Sequence, residues 1–325
     1  MLVVYILILI VGFAALIKGA DIFVEGSASL AKNFRVPSLI IGLTIVALGT
    51  SAPELAVSTA AAIQKSNEIA LSNVIGSNTF NLLCVLGVCA VIHPVPVESK
   101  ILKRDFPISI ASTVFILVVT IIPAIDHFGF ASWNAGEVIG TVERYTGVIL
   151  IIGFVAYIAY LIYDARKNPV NDESECSMST RKCVLFIILG IAMIVCGGEA
   201  VVYSAKEIAR SLGMSETLIG LTIVAIGTSL PELVTSIVAA RKGQTELAVG
   251  NVVGSNIFNL MFILGISSAI NPVTVNAASA WDLIILTVVS VLTLVFSLTS
   301  RKIGRVEGMI MLGIYASDVV FAAIR

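Results

Sequence analysis

The sequence predicts an all-α polytopic membrane protein of ten transmembrane helices, built as two inverted-topology five-helix repeats with both termini extracellular. Three observations predict it. Hydrophobic residues make up 58% of the 325 positions and charged residues only 13%, about half the charged share of a soluble domain, and apolar runs of about twenty residues recur along the chain. Lysine and arginine concentrate on alternate joints between those runs. The second half of the chain repeats the first at a constant offset.

Hydropathy and helix breakers place the spans near 2–32, 37–63, 70–92, 104–124, 144–163, 182–209, 215–240, 246–270, 281–299 and 305–323. The run from Leu2 to Leu16 has no basic segment before it and no small-residue cleavage site after it, so it reads as the first half of a retained helix. That first span, about 31 residues, would reach about 46 Å against a hydrocarbon core of about 30 Å. It is expected to tilt strongly or to leave the membrane near Lys18 to Glu25. The only substantial loop, Asp164 to Arg181, is polar and carries Pro169, Asn171 and the acidic run "DESE". It reads as a cytoplasmic linker between a first unit, 1–163, and a second, 182–325.

Charge sets the sides. Lys32, Arg35, Lys100, Lys103, Arg104, Arg166, Lys167, Arg181, Lys182, Arg241, Lys242, Arg301, Lys302 and Arg305 lie on one set of joints. The other set, tails included, holds only Lys65, Arg144, Lys206, Arg210 and Arg325. The richer set is cytoplasmic by the positive-inside rule, which puts both termini outside. The net charge of -1, with no dense basic run, excludes a nucleic-acid partner. Cys84, Cys89, Cys176, Cys183 and Cys196 form no CxxC pair and read as packing residues plus one loop thiol. His93 and His127, the only histidines, lie near span ends and offer no metal pair.

Adding 178 to a residue number carries the first half onto the second without a gap, and more than half the positions from Gly42 to Gly87 are identical to Gly220 through Gly265. An odd number of spans per half means that the halves cross the membrane in opposite senses, an architecture that gathers a substrate site near the midplane where broken helices meet. The most similar stretches are 37–92 and 215–270.

Within them "GTSAPE", Gly49 to Glu54, returns as "GTSLPE", Gly227 to Glu232. Pro53 and Pro231 have no amide hydrogen and displace the carbonyls of Gly49 and Gly227 from helical bonding. Backbone carbonyls freed at membrane depth require an occupant, and a cation is a natural one. Glu54 and Glu232 stand in the turn that follows. A capping box formed with Ser51 and Ser229 is the structural alternative, but ionisable groups at mid-span usually mark ion pathways. In the third and eighth spans Asn73, Ser77 and Asn81, and Asn251, Ser255 and Asn259, form one stripe each at i, i+4, i+8. Ser77, Asn81, Ser255 and Asn259 are expected to face the carboxylates. For Asn73, Asn78, Asn251 and Asn256, bonding between helices is an equal alternative. The resulting donor set is all oxygen, suited to hard cations such as Ca²⁺ and Na⁺.

The paired motifs "GLTIVALGTSAPEL" with "GSNTFNLL", and "GLTIVAIGTSLPEL" with "GSNIFNLM", resemble the α-repeats of the Ca²⁺/cation antiporter superfamily, most closely its prokaryotic Na⁺/Ca²⁺ exchanger branch. The resemblance implies a multi-pass protein of the cytoplasmic membrane that exchanges Na⁺ for Ca²⁺ by alternating access, with no cofactor, no enzymatic activity and no obligate protein partner. It implies that Glu54 and Glu232, with the carbonyls of Thr50 and Thr228, hold Ca²⁺. Na⁺ would use subsets of the Ala47 and Ala225 carbonyls, Thr50, Ser51, Ser77, Thr228, Ser229, Ser255 and the glutamates. The first and sixth helices would slide past the rest, with breaks at "GAD", Gly19 to Asp21, and "GGE", Gly197 to Glu199. Some exchangers of this group carry aspartate at the position of Asn259, whereas this chain has asparagine at both Asn81 and Asn259, leaving two carboxylates.

Two ionised glutamates with one Ca²⁺ are neutral, and with three Na⁺ carry +1, so such exchange is expected to be electrogenic. The alternative is Ca²⁺/H⁺ antiport on the same glutamates; the "GNxxE" pattern of relatives that do this is absent. A membrane enzyme is disfavoured, because no Ser/His or paired-Asp catalytic set occurs.

Overall fold

A computed structural model describes residues 2–125, 138–169, 178–214 and 225–324. The first helix, α1 (Leu2–Phe34), is followed by the bent pair α2 (Ser38–Thr50) and α3 (Ala52–Ile63), then α4 (Ile69–Ile92), α5 (Phe106–Ile125) and α6 (Arg144–Lys167). The second half holds α7 (Thr180–Ser211), a short turn Ala225–Gly227, α8 (Leu230–Arg241), α9 (Thr245–Ile270), α10 (Ala277–Ser300) and α11 (Arg305–Ile324). Among the described residues six helices are individually long and apolar enough to cross a membrane, and α2 with α3 makes a seventh if counted as one bent span. Helices α5 and α11 fall on the predicted spans 104–124 and 305–323. Residues 215–224, where the seventh predicted span begins, lie outside the described residues, as do His127, Asn171, "DESE" and Cys176.

The layering follows from burial. In its apolar window α9 is 94% buried and α4 72%, whereas α1 is 17% buried. The polar stripes therefore sit on the central helices, and the long apolar helices α1 and α7 lie outside them. Helices α1 and α7 pack against each other along their length. Both run unbroken, 33 and 32 residues, so the breaks expected at "GAD" and "GGE" do not occur. The glycines there serve close approach instead. A Cβ on Gly19 would lie 2.8 Å from the Met193 side chain and 3.0 Å from the Gly190 carbonyl, and one on Gly197 would lie 2.7 Å from the Leu16 amide.

The protein is not helical throughout. Strand β1 (Val95–Pro96) pairs antiparallel with β4 (Lys302–Ile303), and β2 (Val138–Val142) with β3 (Val273–Asn276), in the register Thr141 to Thr274. Each ribbon joins a loop of the first half to one of the second. Each also pairs two joints that the charge pattern assigns to the same side.

Candidate ion-binding site

The break in the second span falls at Ser51, whose backbone (φ -83, ψ 13) leaves the helix so that the axes of α2 and α3 differ by 51°. Ser229 (φ -93, ψ 7) does the same before α8. Pro53 and Pro231 are the second residues of the helices that resume, where a missing amide costs a helix least. Glu54 and Glu232 lie in the first turn of those helices, where unpaired amides favour negative charge. The two breaks differ in detail. The Ser51 amide donates to the Ala47 carbonyl four residues back at 3.0 Å, whereas the Ser229 amide reaches the Ile226 carbonyl three residues back at 3.2 Å. The Ala47 carbonyl expected as a ligand thus already accepts from the Ser51 amide and lies 3.4 Å from Thr50 Oγ1, and Ala225 opens the short turn before the second break.

The capping box does not form. Neither serine side chain caps its own helix. Ser51 Oγ donates across the halves to Glu232 Oε1 at 2.7 Å, and Ser229 Oγ donates to Glu54 Oε1 at 2.9 Å. Ser77 Oγ donates to Glu54 Oε1 at 3.4 Å, and Ser255 Oγ lies 3.0 Å from Ser51 Oγ. The structure therefore gathers these residues into two hydrogen-bonded groups, each drawing on both halves: Ser51, Ser255 and Glu232, and Ser229, Ser77 and Glu54. Thr50 joins the Glu232 group by donating to Asn251 Oδ1 at 3.0 Å.

The asparagines divide by role. Asn73 donates to Ser58 Oγ at 2.9 Å and to the Glu54 carbonyl at 3.3 Å; Asn251 donates to Ser236 Oγ at 2.9 Å and to the Glu232 carbonyl at 3.5 Å. These two fasten the resumed helices to α4 and α9. Asn78 and Asn256 donate to each other's carbonyls, both at 3.3 Å. Asn81 and Asn259 donate their amides to Asn256 Oδ1 at 3.2 Å and Asn78 Oδ1 at 3.0 Å. That leaves the side-chain oxygens of Asn81 and Asn259 without partners. Both residues begin or lie in π-helical turns, Asn81–Val85 and Phe258–Ile263, a local widening often found at functional sites. Ser58 and Ser236 were not singled out in the sequence, although each sits four residues after its glutamate and is repeated at the same offset.

Four fully buried acceptor oxygens on these residues have no hydrogen-bond partner: Glu54 Oε2, Glu232 Oε2, Asn81 Oδ1 and Asn259 Oδ1. All four are acceptors only, two carry carboxylate charge, and they form two pairs under the offset of 178. Each unsatisfied acceptor costs about 1–3 kcal/mol, more when charged. Acceptors of this kind are the ligands that hard cations take, and no sulfur or imidazole lies among them. Among the described residues no cluster of three His, Cys, Asp or Glu residues forms, so the charge available is that of two glutamates.

The flanks are not alike. On one, α1 packs along α8, and Asp21 Oδ1 is 2.5 Å from Lys242 Nζ, with Lys18 Nζ 2.8 Å from Asp21 Oδ2. On the other, a cavity of about 130 Å³ separates α7 from α3 and reaches from Glu199 and Lys206 to Pro53, Thr228 and Pro231. Thr228 lines that cavity, half-buried, where its counterpart Thr50 is fully buried. The counterparts of Asp21 and Lys242 are Glu199 and Gln64.

The chain matches the family described as sodium/calcium exchanger protein over residues 4–163 and 182–324. It is 34% identical over 347 residues to the sodium/calcium exchanger MaX1 of Methanosarcina acetivorans, covering 98% of this chain and 99% of that one. It is 33% identical over 320 residues to the inner membrane protein YrbG of Escherichia coli, covering 94% and 93%. Its fold superposes on a solved structure of the sodium-calcium exchanger NCX_Mj, soaked with Na⁺ and Sr²⁺, with a TM-score of 0.83 at 30% identity, covering 98% and 99%.

Proposed function

From the premise that this chain belongs to the sodium/calcium exchanger protein family, we propose that it exchanges Na⁺ for Ca²⁺ across the cytoplasmic membrane, electrogenically and by alternating access. The observation that carries this reading is the set of four buried, unpartnered acceptor oxygens on Glu54, Glu232, Asn81 and Asn259. Two carboxylates neutralise one divalent ion. The hydroxyls of Thr50, Ser51, Ser77, Thr228, Ser229 and Ser255, with the Ala47 and Ala225 carbonyls, extend the site to several monovalent ions.

Alternating access is supported by the unequal flanks. Helices α1 and α7 are joined by a glycine-lined interface and lie outside the site. Helix α1 packs against α8, with a groove of about 370 Å³ beside the Asp21–Lys242 pair, whereas α7 stands away from α3. Sliding the pair would exchange the packed and separated flanks. The inverted arrangement, with ten spans and both termini outside, follows from the repeat and the charge count. Its test is an impermeant maleimide on Cys176 as the sole cysteine: labelling in intact cells before permeabilisation would sink this topology.

The functional test is Ca²⁺ uptake into proteoliposomes, with an outward Na⁺ gradient compared against a pH gradient. Uptake that follows Na⁺, and generates a membrane potential, is the expected result. Uptake driven by the pH gradient and indifferent to Na⁺ would replace the reading with Ca²⁺/H⁺ antiport on the same glutamates.

A further inference from the structure

A groove of about 650 Å³ opens where α1 ends, between the turn into α2 and the last turns of α6. Its walls are apolar, with Leu30, Ile41, Ile45 and Ile158 within and Phe34 and Ile162 at its edge, and its rim carries Arg35 and Arg166. Phe34 is 61% and Ile162 49% exposed, so the groove is continuous with the apolar outer surface that meets the bilayer. Neither guanidinium has a partner among the described residues, and both are exposed.

Arg35 occupies a position that favours a different residue. The Val36 amide donates to the Ala31 carbonyl and the Arg35 amide to the Lys32 carbonyl, closing the end of α1 with a left-handed residue at φ +53. At the end of α7 the same pair of bonds, Met214 to Ala209 and Gly213 to Arg210, is built around a glycine at φ +83. Glycine adopts this conformation freely and a side-chain-bearing residue does not. The first half therefore carries a basic residue here against backbone preference, as it does again at Lys65 opposite Gly243.

We propose that this groove binds one anionic phospholipid of the surrounding bilayer, its phosphate between Arg35 and Arg166 and one acyl chain along Leu30, Ile41, Ile45 and Ile158. An apolar groove open to the bilayer selects an occupant with a hydrocarbon chain, and two unpaired arginines at its rim select a diffuse anion that can accept from both forks. A phospholipid without a compensating cationic headgroup meets both conditions in one molecule. The site does not depend on which ions the protein moves. It links the end of α1 to α6, so the lipid would act on the helix that slides in the proposed cycle.

The test is native mass spectrometry of the purified full chain titrated with dioleoylphosphatidylglycerol or dioleoylphosphatidylcholine. The wild type should retain one phosphatidylglycerol in preference to phosphatidylcholine. The substitutions R35G and R166Q should each reduce that preference about fivefold, and together about twenty-five-fold. R35G should at the same time raise the melting temperature, because it restores the residue type used after α7, which separates lost binding from lost folding. Equal retention of the two lipids, or unchanged retention in the double variant, overturns the proposal. So does displacement of phosphatidylglycerol by inorganic phosphate, which would make this a plain anion site with no part for the groove.

Discussion

Around the two glutamates, several bonds made by residues of the first half are answered by the residues 178 positions later, although the Thr50–Asn251 bond is not. Ser51 reaches Glu232 and Ser229 reaches Glu54; Asn73 reaches Ser58 and Asn251 reaches Ser236; Asn78 and Asn256 bond each other in both directions. At the flanks the correspondence fails. Asp21 holds Lys242, while Glu199 faces a half in which Gln64 replaces the lysine, and a cavity stands where the helices would otherwise meet. On the proposed function, the difference separates residues that would hold the ion from residues that would close one side of the membrane. Ligands arranged about one ion gain from being alike, whereas the contacts that close one side at a time must be able to differ.

The largest expected effect tests the symmetric centre. E54Q and E232Q should each abolish Ca²⁺ flux in proteoliposomes, because one carboxylate cannot neutralise a buried divalent ion; losing one member of such a pair costs about 2–5 kcal/mol. Near-normal flux in either variant would mean that the two halves do not share one site. Next is the sliding interface. In G190A the new methyl would lie 2.6 Å from Phe23 Cβ, whereas in G198A the nearest atom is 3.6 Å away. Overpacking of this kind costs about 1–3 kcal/mol, so G190A should slow exchange several-fold and G198A should not. Equal rates in the two variants would remove the glycines from the mechanism.

P53A and P231A test whether the two breaks are equivalent despite their different backbone bonding. Both should shrink the Ca²⁺-induced rise in melting temperature. The gain in stability without Ca²⁺ should fall well short of the about 3 kcal/mol of an interior proline, because each proline is already near a helix start. An undiminished Ca²⁺-induced rise in either variant would take that proline out of the binding site. The smallest effect is expected at the flank. K242Q removes a partly exposed ion pair of at most about 1 kcal/mol, shifting the apparent Ca²⁺ affinity by no more than about fivefold, and the charge swap D21K/K242D should restore it. A swap that fails to restore affinity would show that the pair does not bias the packed flank.

Much of this was legible in the sequence. Apolar runs, charge asymmetry and repetition are properties of composition and order, and the bilayer imposes them directly: a span must be long and apolar, and a charge inside it must have a reason. Glu54 and Glu232 therefore stood out without coordinates, as did the serines and asparagines at helical spacing beside them. Tertiary structure decided what those polar groups do with each other. Ser51 caps nothing because a carboxylate from the other half is within reach; Asn73 fastens a backbone while Asn81, on the same stripe, offers a free oxygen. Only packing could show that Gly19 and Gly197 draw two helices together rather than break them, since a glycine carries the same local freedom in either role. Loop strands pairing across the halves and the packing of α1 on α8 without a counterpart were likewise beyond the sequence, because both depend on contacts between residues far apart in the chain, for which local propensity holds no information.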